Sequence, residues 1–486
     1  MYLKTLLNHV EYEWLKGHDV DITGISIDTR TLNPGDLFFC IVGETTYDSH
    51  LFIDEAAAKG ASAVVLERPC EVNHDIPVIS VKSSRIALST IAVNFYGDPS
   101  AHMNLIGVTG TNGKTSVTYY LESILQSAGR SPGVIGSSNA RINGVAADIA
   151  YKTPTTPDTP ELLRILDRMH GSGVSDVCME VTSHALALHK VDGLKFKAGI
   201  FTNLTQDHLD FHKTMDRYLC AKKRLFEFCK TGIINADDMA AAEIIGSAPC
   251  GVITYGINSR SDIQAYDILY GNGGVSFSVD LNGSSQRFNI NVPGKFSVYN
   301  ALAAISAAAA LSVPAEYIIE GLGAMTGVPG RFQSLPNTAG ISVIIDYAHT
   351  PDALANIIRS AREFTAGRII TVFGCGGDRD KTKRALMGRI AGSLSDLCYV
   401  TTDNPRSEDP DDIIAEIERG ITETDCVYRS IADRNTAINA SVADAIPNDT
   451  VIIAGKGSEE YQEFNGRTIR FSDAQTAADA LHRREG

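Results

Sequence analysis

The sequence predicts an α/β protein of three domains, and three observations lead to this prediction. The chain has 486 residues, which is more than one ordinary hydrophobic core accommodates and suits about three domains. Short β-branched runs alternate with amphipathic stretches along most of the chain, as in mostly parallel sheets covered by helices on both faces. Two stretches with glycine and proline, at 95–104 and 326–336, interrupt this alternation and divide the chain into three parts.

Each part has its own predicted elements. The first contains "ISIDTRTLNPGDLFFCIVG", which predicts a strand, a Pro-Gly turn and a strand, followed by a helix at "FIDEAAAKGASAVVL". In the middle part, strands are predicted at "LIGV", "DVCMEV", "AGIFTNL" and "TGIINADD", with helices between them such as "PELLRILDRMH". In the last part, strands at "ISVIIDY", "RIITVFG", "DLCYVTT" and "TVIIAGKG" again alternate with helical segments.

Composition and charge restrict the class of protein. Hydrophobic residues make up 44% of the chain and charged residues 21%, as in a soluble globular protein. A formal net charge of −15, from 43 basic and 58 acidic residues, argues against nucleic acid or an anionic membrane as the main partner. The most apolar long stretch, 300–313, is shorter than the roughly 20 residues of a membrane span. We therefore expect a buried alanine-rich helix there and no membrane insertion.

Cysteine usage and the N-terminus predict the compartment. Nine cysteines, an odd number without any CxxC pair, favour neither a disulfide framework nor a zinc site. The opening "MYLKTLLNHVEYEW" has no apolar run of signal-peptide length. We therefore expect a cytoplasmic protein with reduced thiols, and we expect a monomer.

The strongest local signal is a phosphate loop at "IGVTGTNGKTSVTYYLESIL". An apolar strand at 105–108 leads into a glycine-containing loop and then into a helical pattern, so that backbone N–H groups converge on phosphate oxygens at a helix N-terminus. Lys114 would neutralise the outer phosphates, and the hydroxyl of Thr115 would coordinate Mg²⁺. The spacing departs from GxxxxGK[ST] because Val108 stands five positions before Gly113. The predicted ATP-binding residues here are Gly110, Thr111, Asn112, Gly113, Lys114, Thr115 and Ser116.

Carboxylates and imidazoles follow the next two predicted strands. "CMEVTSH" contains Glu180 and His184, and "FTNLTQDHLDFH" contains Asp207, His208, Asp210 and His212. Each residue alone is more often an ordinary hydrogen-bonded polar group, but convergence of both strand ends on a phosphate loop favours a metal site. In "YLCAKKRLFEF", the adjacent basic residues read as a solvated helix face, and composition singles out neither lysine for chemistry.

A charged loop, "TTDNPRSEDP" at 401–410, follows the predicted strand "LCYV". Loops at the carboxyl ends of strands bind ligands in open α/β sheets. A solvated surface loop is the alternative interpretation of such a charge cluster.

Eight motifs in order resemble those of the Mur ligase family: "GTNGKT", "EVTSHAL", "FTNLTQDHLDFH", "GKFSVYNALAA", "DYAHTPDAL", "GCGGDRDKTKR", "DNPR" and "AGKGSEEYQ". The resemblance runs from about residue 26 to 471. It implies a small N-terminal α/β domain that binds UDP (1–97), a central P-loop-type ATPase domain with a mostly parallel sheet (98–330) and a C-terminal Rossmann-like domain that binds an amino acid (331–486). It also implies the family reaction that adds meso-diaminopimelate to UDP-N-acetylmuramoyl-L-Ala-D-Glu through an acyl phosphate, with ATP and Mg²⁺.

The resemblance further implies roles for individual residues. Thr115, Glu180 and His208 match the metal positions, and Lys222 matches the lysine that the family carboxylates with CO₂. The catalytic set is then Lys114, Glu180, His208 and Lys222.

The resemblance also implies residues that bind ATP and the UDP-linked substrate. It places Asn300 on the adenine side of ATP, and it places four C-terminal residues around ATP: Arg331, Asp346, Tyr347 and His349. Uridine is assigned to "IDTR", with Ile27 and Thr29, and to 43–50, while the muramoyl dipeptide and pyrophosphate are assigned to 151–159, with Thr155 and Thr156, and to Ser183 and Lys190. For the residues assigned to uridine, an ordinary turn is the alternative interpretation, since a turn rich in Asp and Thr needs no ligand.

In the charged loop, the resemblance makes Arg406 the residue that binds the distal carboxylate of diaminopimelate. A planar guanidinium suits that carboxylate, and Glu459 would receive the distal ammonium. Lysine would leave Arg406 buried without a partner, which supports discrimination of roughly 10⁴-fold. The complete predicted set is Arg379, Asp403, Asn404, Arg406, Gly455 and Glu459.

Four positions depart from the usual family pattern: Ser49, Leu188, Lys190 and Ser458. They leave open a paralogue that joins another amino acid to another carboxylate. A non-catalytic nucleotide-binding scaffold is disfavoured because Lys114, Glu180 and Lys222 are all present. A generic ATPase acting on protein partners is disfavoured because "DNPR" and "IDTR" would then have no function.

Overall fold

The computed structural model describes residues 1–43, 48–137, 140–147, 149, 155–271 and 274–485. Three large sheets, each with its own hydrophobic core, confirm the predicted three-domain α/β class. Short 3₁₀ turns at Ser49–Phe52, Pro99–Ala101 and Arg224–Phe228 join some of the elements.

The N-terminal sheet has five strands in the order β1-β5-β4-β3-β2. Its elements are α1 (Leu3–Leu6), β1 (Tyr12–Lys16), β2 (Gly24–Ser26), β3 (Asp36–Phe39), α2 (Ile53–Ala58), β4 (Ala63–Leu66), β5 (Val78–Val81) and α3 (Ser84–Tyr96). β2 and β3 pair in parallel, so the predicted Pro-Gly turn is part of a crossover over 27–35 and not a hairpin. That crossover carries Ile27 and Thr29.

The central sheet has eleven strands in the order β16-β15-β14-β13-β12-β11-β6-β10-β7-β8-β9. Its first elements are β6 (Asn104–Thr109), α4 (Lys114–Ser127), β7 (Pro132–Ile135), β8 (Ala140–Ile142), β9 (Val145–Ala146), α5 (Thr159–Gly171), β10 (Asp176–Glu180), α6 (Ser183–Ala187), β11 (Phe196–Phe201), α7 (Leu209–His212) and α8 (Met215–Lys223). The others are β12 (Cys229–Asn235), α9 (Ala241–Ser247), β13 (Gly251–Gly256), β14 (Ile263–Gly271), β15 (Gly274–Leu281), β16 (Ser284–Ile290), α10 (Lys295–Ala310) and α11 (Ala315–Ala324).

The middle of this sheet is parallel, and both edges are antiparallel. β6 lies between β10 and β11 in parallel register, so their carboxyl ends meet on one edge beside the phosphate loop. β14, β15 and β16 form an antiparallel meander, which the alternation of strands and helices does not predict. The alanine-rich stretch forms the buried helix α10, as predicted. Among the described residues, no helix is long and apolar enough to cross a bilayer.

The C-terminal sheet has six strands in the order β17-β18-β22-β19-β20-β21, parallel except for β17. Its elements, with a separate hairpin β23-β24, are β17 (Gln333–Ser334), β18 (Ser342–Asp346), α12 (Pro351–Arg362), β19 (Ile369–Phe373), α13 (Thr382–Leu394), β20 (Leu397–Val400), α14 (Pro410–Ile421), β21 (Val427–Ser430), α15 (Arg434–Asp444), β22 (Thr450–Ala454), β23 (Tyr461–Phe464), β24 (Arg467–Arg470) and α16 (Asp473–Glu485). The carboxyl ends of β18, β19, β20 and β22 lead into the loops at 347–350, 374–381, 401–409 and 455–460.

A buried ion pair fixes α16 to this domain. Both side chains of Arg434 and Asp473 are 0% exposed, and the guanidinium makes two hydrogen bonds of 2.7 Å to the carboxylate. Arg434 also donates to the carbonyl of Ala454 at 3.0 Å. The pair therefore joins the first turns of α15 and α16 to the end of β22.

We expect Asp473→Asn to lower the free energy of unfolding of the C-terminal domain by about 3–5 kcal/mol, because it leaves a buried guanidinium without its counter-charge. Urea unfolding followed by circular dichroism measures this. The matched control is Glu423→Gln in the half-exposed Arg389–Glu423 pair, which should cost less than about 1 kcal/mol. Equal effects of the two substitutions would contradict this assignment.

Candidate active site

The phosphate loop follows β6 and curls tightly against two neighbouring segments. At Gly110, with φ +147°, a Cβ atom would lie 1.8 Å from Oγ1 of Thr202, and at Gly113, with φ +89°, it would lie 2.4 Å from Oδ1 of Asn300. Only glycine fits these approaches. The N–H of Asn112 donates to Oδ1 of Asn203 at 2.9 Å, which fixes the loop against the end of β11.

Lys114 starts α4 and lies over the same loop. Its Nζ donates to the carbonyls of Gly110 at 3.0 Å and Thr111 at 2.9 Å. Burial lowers the pKa of this ammonium. The arrangement holds a cation at the point where anionic phosphates would enter, at the N-terminus of α4.

Thr115 and Glu180 lie together, as predicted from the sequence. Oγ1 of Thr115 donates to Oε1 of Glu180 at 3.0 Å, and the N–H and hydroxyl of Ser137 donate to the same carboxylate at 2.9 and 3.1 Å. A buried hydroxyl and carboxylate are the oxygen donors that a hard divalent cation prefers, so these two residues fit Mg²⁺. Among the described residues no three Asp, Glu, His or Cys side chains form a metal-binding group, so other ligands would have to complete the coordination.

Asp207 and His208 form a cluster with residues of the C-terminal domain. Oδ2 of Asp207 lies 3.4 Å from Nε2 of His208 and 3.7 Å from Nε2 of His349, and Oδ1 lies 3.8 Å from Nζ of Lys383. Burial favours a high pKa for the Asp207 carboxyl, but the hydrogen bond from His349, followed by electrostatic interactions with His208, His349 and Lys383, holds this pKa well below its usual range. Burial lowers the pKa of His208 to about 3. Its imidazole is therefore neutral near pH 7.

Lys222 is the most isolated cation of the site. Its side chain is 1% exposed, and its Nζ lies 4.4 Å from the centroid of the Tyr218 ring. Within the described part of the chain, this ammonium has no carboxylate within 4.0 Å. Burial, followed by repulsion from Lys114, lowers its pKa well below the usual value. The Tyr218 hydroxyl lies 3.1 Å from Oγ1 of Thr111, so Lys222 is one side chain away from the phosphate loop.

A cavity of about 310 Å³ opens beside the phosphate loop, between the central and C-terminal domains. Nη2 of Arg331 donates to Oγ1 of Thr115 at 3.1 Å, and its guanidinium carbon lies 4.3 Å from the Tyr347 ring centroid. Asp346 also lines the cavity and accepts the N–H of Phe332 at 2.7 Å. The predicted residues that line it are Asn112, Gly113, Thr115, Ser116, Asn300, Arg331, Asp346 and Tyr347.

Sequence reasoning missed three carboxylates of this cavity, those of Asp237, Asp238 and Asp352. Asp237 follows β12 and accepts the hydroxyl of Tyr299 at 2.8 Å and the N–H groups of residues 257–259. Burial opposes its ionisation, yet these hydrogen bonds hold its pKa below the usual range. Asp352 begins α12 and accepts from Nδ2 of Asn112 at 3.2 Å. Asp237 lies in "TGIINADD", where an acidic residue directly after a predicted strand was the available signal. Asp352 lies in "DYAHTPDAL", where an acidic residue at the start of a predicted helix was the available signal.

The residues assigned to the muramoyl dipeptide lie at the ends of β10 and α6. Oγ of Ser183 lies 2.9 Å from Nε2 of His212, and the Thr156 hydroxyl donates to the carbonyl of Glu180 at 2.9 Å. Oγ1 of Thr155 lies 3.0 Å from the Ser137 hydroxyl. Nζ of Lys190 lies 2.6 Å from Oδ1 of Asp158. The charge of Lys190 is therefore paired within the protein.

The uridine assignment falls partly outside the described residues, which exclude 44–47, and the dipeptide assignment likewise excludes 151–154. Ile27 is half-buried against the N-terminal core, and the carbonyl of Thr29 accepts from Nζ of Lys59 at 2.9 Å. The unusual Ser49 is fully buried, and its hydroxyl donates to the carbonyl of Ile41 at 3.0 Å. Ser49 therefore stabilises the backbone.

A second polar cluster, the Glu459 cluster, lies where β20 and β22 end. Oε2 of Glu459 accepts from Nζ of Lys456 at 2.9 Å and from Nδ2 of Asn404 at 3.1 Å. Lys456 is 0% exposed and also donates to Oδ1 of Asn404 at 3.1 Å. At Gly455, with φ +121°, a Cβ atom would lie 2.6 Å from Oδ2 of Asp403. Sequence reasoning named the neighbours of Lys456 and missed Lys456 itself.

Arg406 lies beside this cluster and has partners of its own. Its Nη1 donates to the carbonyl of Gly377 at 2.7 Å, and its Nε lies 3.3 Å from Oε2 of Glu463. The prediction that Arg406 without a ligand would be buried and unpaired is therefore wrong, because β23 supplies a carboxylate and the 377 carbonyl a second acceptor. Arg379 is exposed and donates to the carbonyl of Asp378 at 3.1 Å.

The two polar regions are joined by side chains. The hydroxyl of Tyr347 lies 3.5 Å from Oε1 of Glu459, and the same ring contacts Arg331, which reaches Thr115. The nucleotide-sized cavity and the Glu459 cluster are thus separate places along one interdomain cleft.

Comparisons with known proteins match the whole chain. The Mur ligase middle domain matches 108–308, the glutamate ligase domain of Mur ligases matches 330–457, and the catalytic domain of the Mur ligase family matches 21–96. The UDP-N-acetylmuramoyl-L-alanyl-D-glutamate–2,6-diaminopimelate ligase 2 of Clostridium acetobutylicum is 43% identical over 99% of this chain and 100% of its own length. The corresponding ligase of Alkaliphilus oremlandii is 43% identical over 100% of both chains.

Solved structures agree with these relatives. A UDP-N-acetylmuramoyl-L-alanyl-D-glutamate–2,6-diaminopimelate ligase has a TM-score of 0.68 and 30% identity, with 96% of each chain covered. The MurF ligase of Thermotoga maritima in complex with ADP has a TM-score of 0.65 and 18% identity, with 95% of this chain and 97% of that chain covered. The second comparison supports the fold alone.

We expect His212 to stay neutral at pH 5. Burial, followed by repulsion from His184 and Lys222, lowers its pKa from 6.5 to about 4. An unfolded chain takes up this proton near pH 6.5, so His212 makes the folded state less stable as pH falls from about 6.5 to about 4. Imidazole NMR titration of the protein, with His212→Asn to assign the signal, measures the midpoint. A midpoint near 6.5 would contradict the burial argument.

Proposed function

The chain belongs to the Mur ligase family and is an ATP-dependent ligase, and from that premise we propose that it joins meso-diaminopimelate to UDP-N-acetylmuramoyl-L-Ala-D-Glu. The domain boundaries 1–97, 98–330 and 331–486 are part of this proposal. The runner-up is a paralogue that joins another amino acid to another carboxylate.

One observation carries the choice of substrate: opposite charges face one cleft at the ends of β20 and β22. Arg406 in the 401–409 loop supplies a guanidinium, and Glu459 in the 455–460 loop supplies a carboxylate that Asn404 contacts. A zwitterion with a distal carboxylate and a distal ammonium matches both charges, whereas lysine lacks the carboxylate. Because Glu463 and Gly377 already contact Arg406, the expected discrimination against lysine is smaller than the roughly 10⁴-fold of a fully unpaired arginine.

The reaction we propose has two chemical steps. The D-Glu carboxylate attacks the γ-phosphorus of ATP, which gives an acyl phosphate and ADP. The neutral amine of diaminopimelate then attacks the acyl carbon, and the tetrahedral intermediate loses phosphate and a proton to give the amide. Phosphoryl transfer needs positioning and charge neutralisation more than covalent catalysis.

For ATP, we assign phosphate binding to the loop 110–116 with Lys114. We assign further contacts with the nucleotide to Asn300 of the central domain and to Arg331, Asp346 and His349 of the C-terminal domain. The contact of Arg331 with Thr115 supports this, because it holds a C-terminal cation beside the phosphate loop. Thr115 and Glu180 would hold Mg²⁺, which supplies charge neutralisation at the phosphates. His208 is assigned as a further ligand, although its nitrogen is a softer donor than the oxygens of the other two.

Lys222 is assigned as an N6-carboxylysine. Lys222 is buried, has no carboxylate within 4.0 Å among the described residues and has a lowered pKa. Such a lysine supplies a neutral amine, which adds to CO₂ to give a carbamate and one proton. The product replaces a buried cation beside Lys114 by an anion. Attraction between that anion and Lys114 would replace the present repulsion.

For the UDP-linked substrate, we assign uridine to Ile27 and Thr29 and the muramoyl dipeptide and pyrophosphate to Thr155, Thr156, Ser183 and Lys190. Lys190 would have to share its ammonium between Asp158 and the substrate. The diaminopimelate site comprises Arg379, Asp403, Asn404, Arg406, Gly455 and Glu459, and Lys456 holds Glu459 in place. The unusual Ser458 is exposed, so its side chain is not expected to alter this selectivity.

The expected compartment is the cytoplasm. All nine cysteines are free thiols, including Cys398 and Cys426, whose sulfurs lie 3.7 Å apart. Unbonded thiols at this separation suit a reducing compartment. A monomer suffices, because one chain supplies every residue assigned to the site.

Phosphate release measured with UDP-N-acetylmuramoyl-L-Ala-D-Glu, ATP and a panel of amino acids tests the proposed function. We expect meso-diaminopimelate to give the highest kcat/KM. Preference for another amino acid would favour the paralogue, and comparable kcat/KM for diaminopimelate and L-lysine would exclude the selectivity proposed for Arg406.

We expect Arg406→Ala to reduce kcat/KM for diaminopimelate by about 100-fold or more, because the distal carboxylate loses its charged hydrogen-bond partner. The Kd for ATP should stay unchanged, since Arg406 does not line the nucleotide cavity. Steady-state kinetics and nucleotide titration measure both quantities. Arg470→Ala, an exposed arginine on the adjacent strand β24, is the matched control.

We expect Lys222→Ala to abolish activity, with partial rescue by formate or acetate and none by bicarbonate, because only an added carboxylate replaces the lost carbamate. In the unsubstituted enzyme, ¹³C-bicarbonate should give a carbamate NMR signal that is missing from Lys222→Ala. Lys223→Ala is the control, since Nζ of Lys223 lies 3.0 Å from Oε1 of Glu243. Full activity of Lys222→Ala would refute this role.

A further inference from the structure

Arg384 of α13 is a buried arginine that none of the roles above uses. Its side chain is 1% exposed. Its Nη1 and Nη2 donate to the two carboxylate oxygens of Glu408 at 3.0 and 2.9 Å, and Nη1 also donates to Glu416 at 3.0 Å. A buried guanidinium is costly unless its partners are well placed. The side chains of Arg384 and Glu408 therefore fix each other's position closely.

Glu408 stands at the end of the charged loop 401–409. Its N–H donates to the carbonyl of Pro405 at 3.0 Å, which closes a turn around Arg406. The hydrogen bonds from Arg384, followed by those from Lys381 and a backbone N–H, lower the pKa of Glu408 to about 2 despite its partial burial. Glu408 is therefore ionised throughout the working pH range.

That backbone N–H belongs to Asp378, in the neighbouring loop. Oε1 of Glu408 accepts it at 2.6 Å. The carbonyl of the same peptide group is that of Gly377, and it accepts Nη1 of Arg406 at 2.7 Å. In a planar trans peptide, the N–H and C=O point in opposite directions. Glu408 on one side of the 377–378 peptide thus sets where its carbonyl aims on the other side.

Other contacts join the same two loops without an ion pair. The N–H of Gly377 donates to the carbonyl of Asn404 at 2.9 Å. The hydroxyl of Ser407 donates to Oδ1 of Asp378 at 2.7 Å. A Cβ atom at Gly377 would lie 1.9 Å from the carbonyl oxygen of Pro405. The loops are packed so closely that a tilt of the 377–378 peptide must move the 404–408 loop.

We propose that Arg384 and Glu408 are positioning residues for amino-acid selection: through the 377–378 peptide they orient the guanidinium of Arg406 toward the distal carboxylate of the incoming amino acid. Glu463 holds the Nε edge of Arg406, and Gly377 holds one Nη1 hydrogen. Among the described residues, no hydrogen bond is made by Nη2, so the Nη1–Nη2 end is the side available to a substrate carboxylate. This inference rests on the proposed function, because it presumes that Arg406 binds the amino acid.

The first test compares Glu408→Gln and Arg384→Gln with the unsubstituted enzyme. Both should raise KM for meso-diaminopimelate by about 10- to 100-fold, as a displacement near 1 Å does in a positioned site. The KM values for ATP and for the UDP-linked substrate should stay unchanged, and the preference for diaminopimelate over L-lysine should fall. Glu423→Gln, in the exposed pair between α13 and the segment after α14, is the matched control and should change none of these values.

A double-mutant cycle separates positioning from stability. If the pair acts as a unit, Arg384→Gln with Glu408→Gln should raise KM for diaminopimelate no more than either single substitution. An unchanged KM in folded single variants, or a parallel loss for all three substrates, would overturn the proposal. Ser407→Ala, on the solvent side of the same contact, covers the case in which the buried variants do not fold. It should raise KM for diaminopimelate by about two- to tenfold, as loss of one hydrogen bond does, and no rise would again overturn the proposal.

Failure of this proposal and failure of the proposed function give different results. If the unsubstituted enzyme prefers another amino acid, the function is wrong as stated. The same variants then test the positioning role with that preferred amino acid. If the unsubstituted enzyme prefers diaminopimelate and the variants keep its KM, only the positioning role fails.

Discussion

Parallel pairing of β6 with β10 and β11 is the constraint on which the central site depends. In a parallel sheet the carboxyl ends of neighbouring strands lie on the same edge, so Thr109, Glu180 and Phe201 end side by side. The phosphate loop, the Glu180 carboxylate and the 202–208 segment therefore meet without any of them being adjacent in sequence. The C-terminal domain repeats this arrangement with the adjacent strands β18, β22, β19 and β20, and the two edges face each other across one cleft.

Three ammonium groups of that cleft have a carboxylate at short range. Lys456 is paired with Glu459, Lys190 with Asp158, and Lys383 lies near Asp207. Lys222 has the face of Tyr218, and among the described residues no carboxylate lies within 4.0 Å of its Nζ. A buried cation without a close counter-charge is unfavourable in a protein interior. Burial and the charge of Lys114 therefore lower the pKa of Lys222, although Asp207 and Asp238 act in the opposite direction.

The arrangement around Arg406 shows why selectivity is not a property of one residue. Its guanidinium has five donors in a rigid plane, and the protein holds two of its three nitrogens. What remains for a ligand depends on the aim of the 377–378 peptide, and hence on side chains that never reach the ligand. An arginine with the same neighbours in sequence, but a different peptide orientation, would present another edge.

The sequence by itself determined the α/β class, the phosphate loop, the buried helix α10 and the polar loops at 202–212 and 401–410. Each of these depends on a pattern of residues that are close together in the sequence. It also indicated that Thr115 and Glu180 would meet, since strand ends in a parallel sheet converge. Only the tertiary structure decided the parallel β2–β3 crossover, the antiparallel edge at 263–290, the burial of Lys456 and the pairing of Lys190 with Asp158. It alone showed that Arg406 is held by Glu463 and by a peptide that Glu408 orients. The contacts of Lys190 with Asp158, Lys456 with Asn404 and Arg406 with Glu463 join residues 32, 52 and 57 positions apart. The two strand arrangements depend on which neighbour each strand pairs with, and the position of Arg406 depends on the tilt of one peptide plane. Local sequence patterns carry no information about any of these.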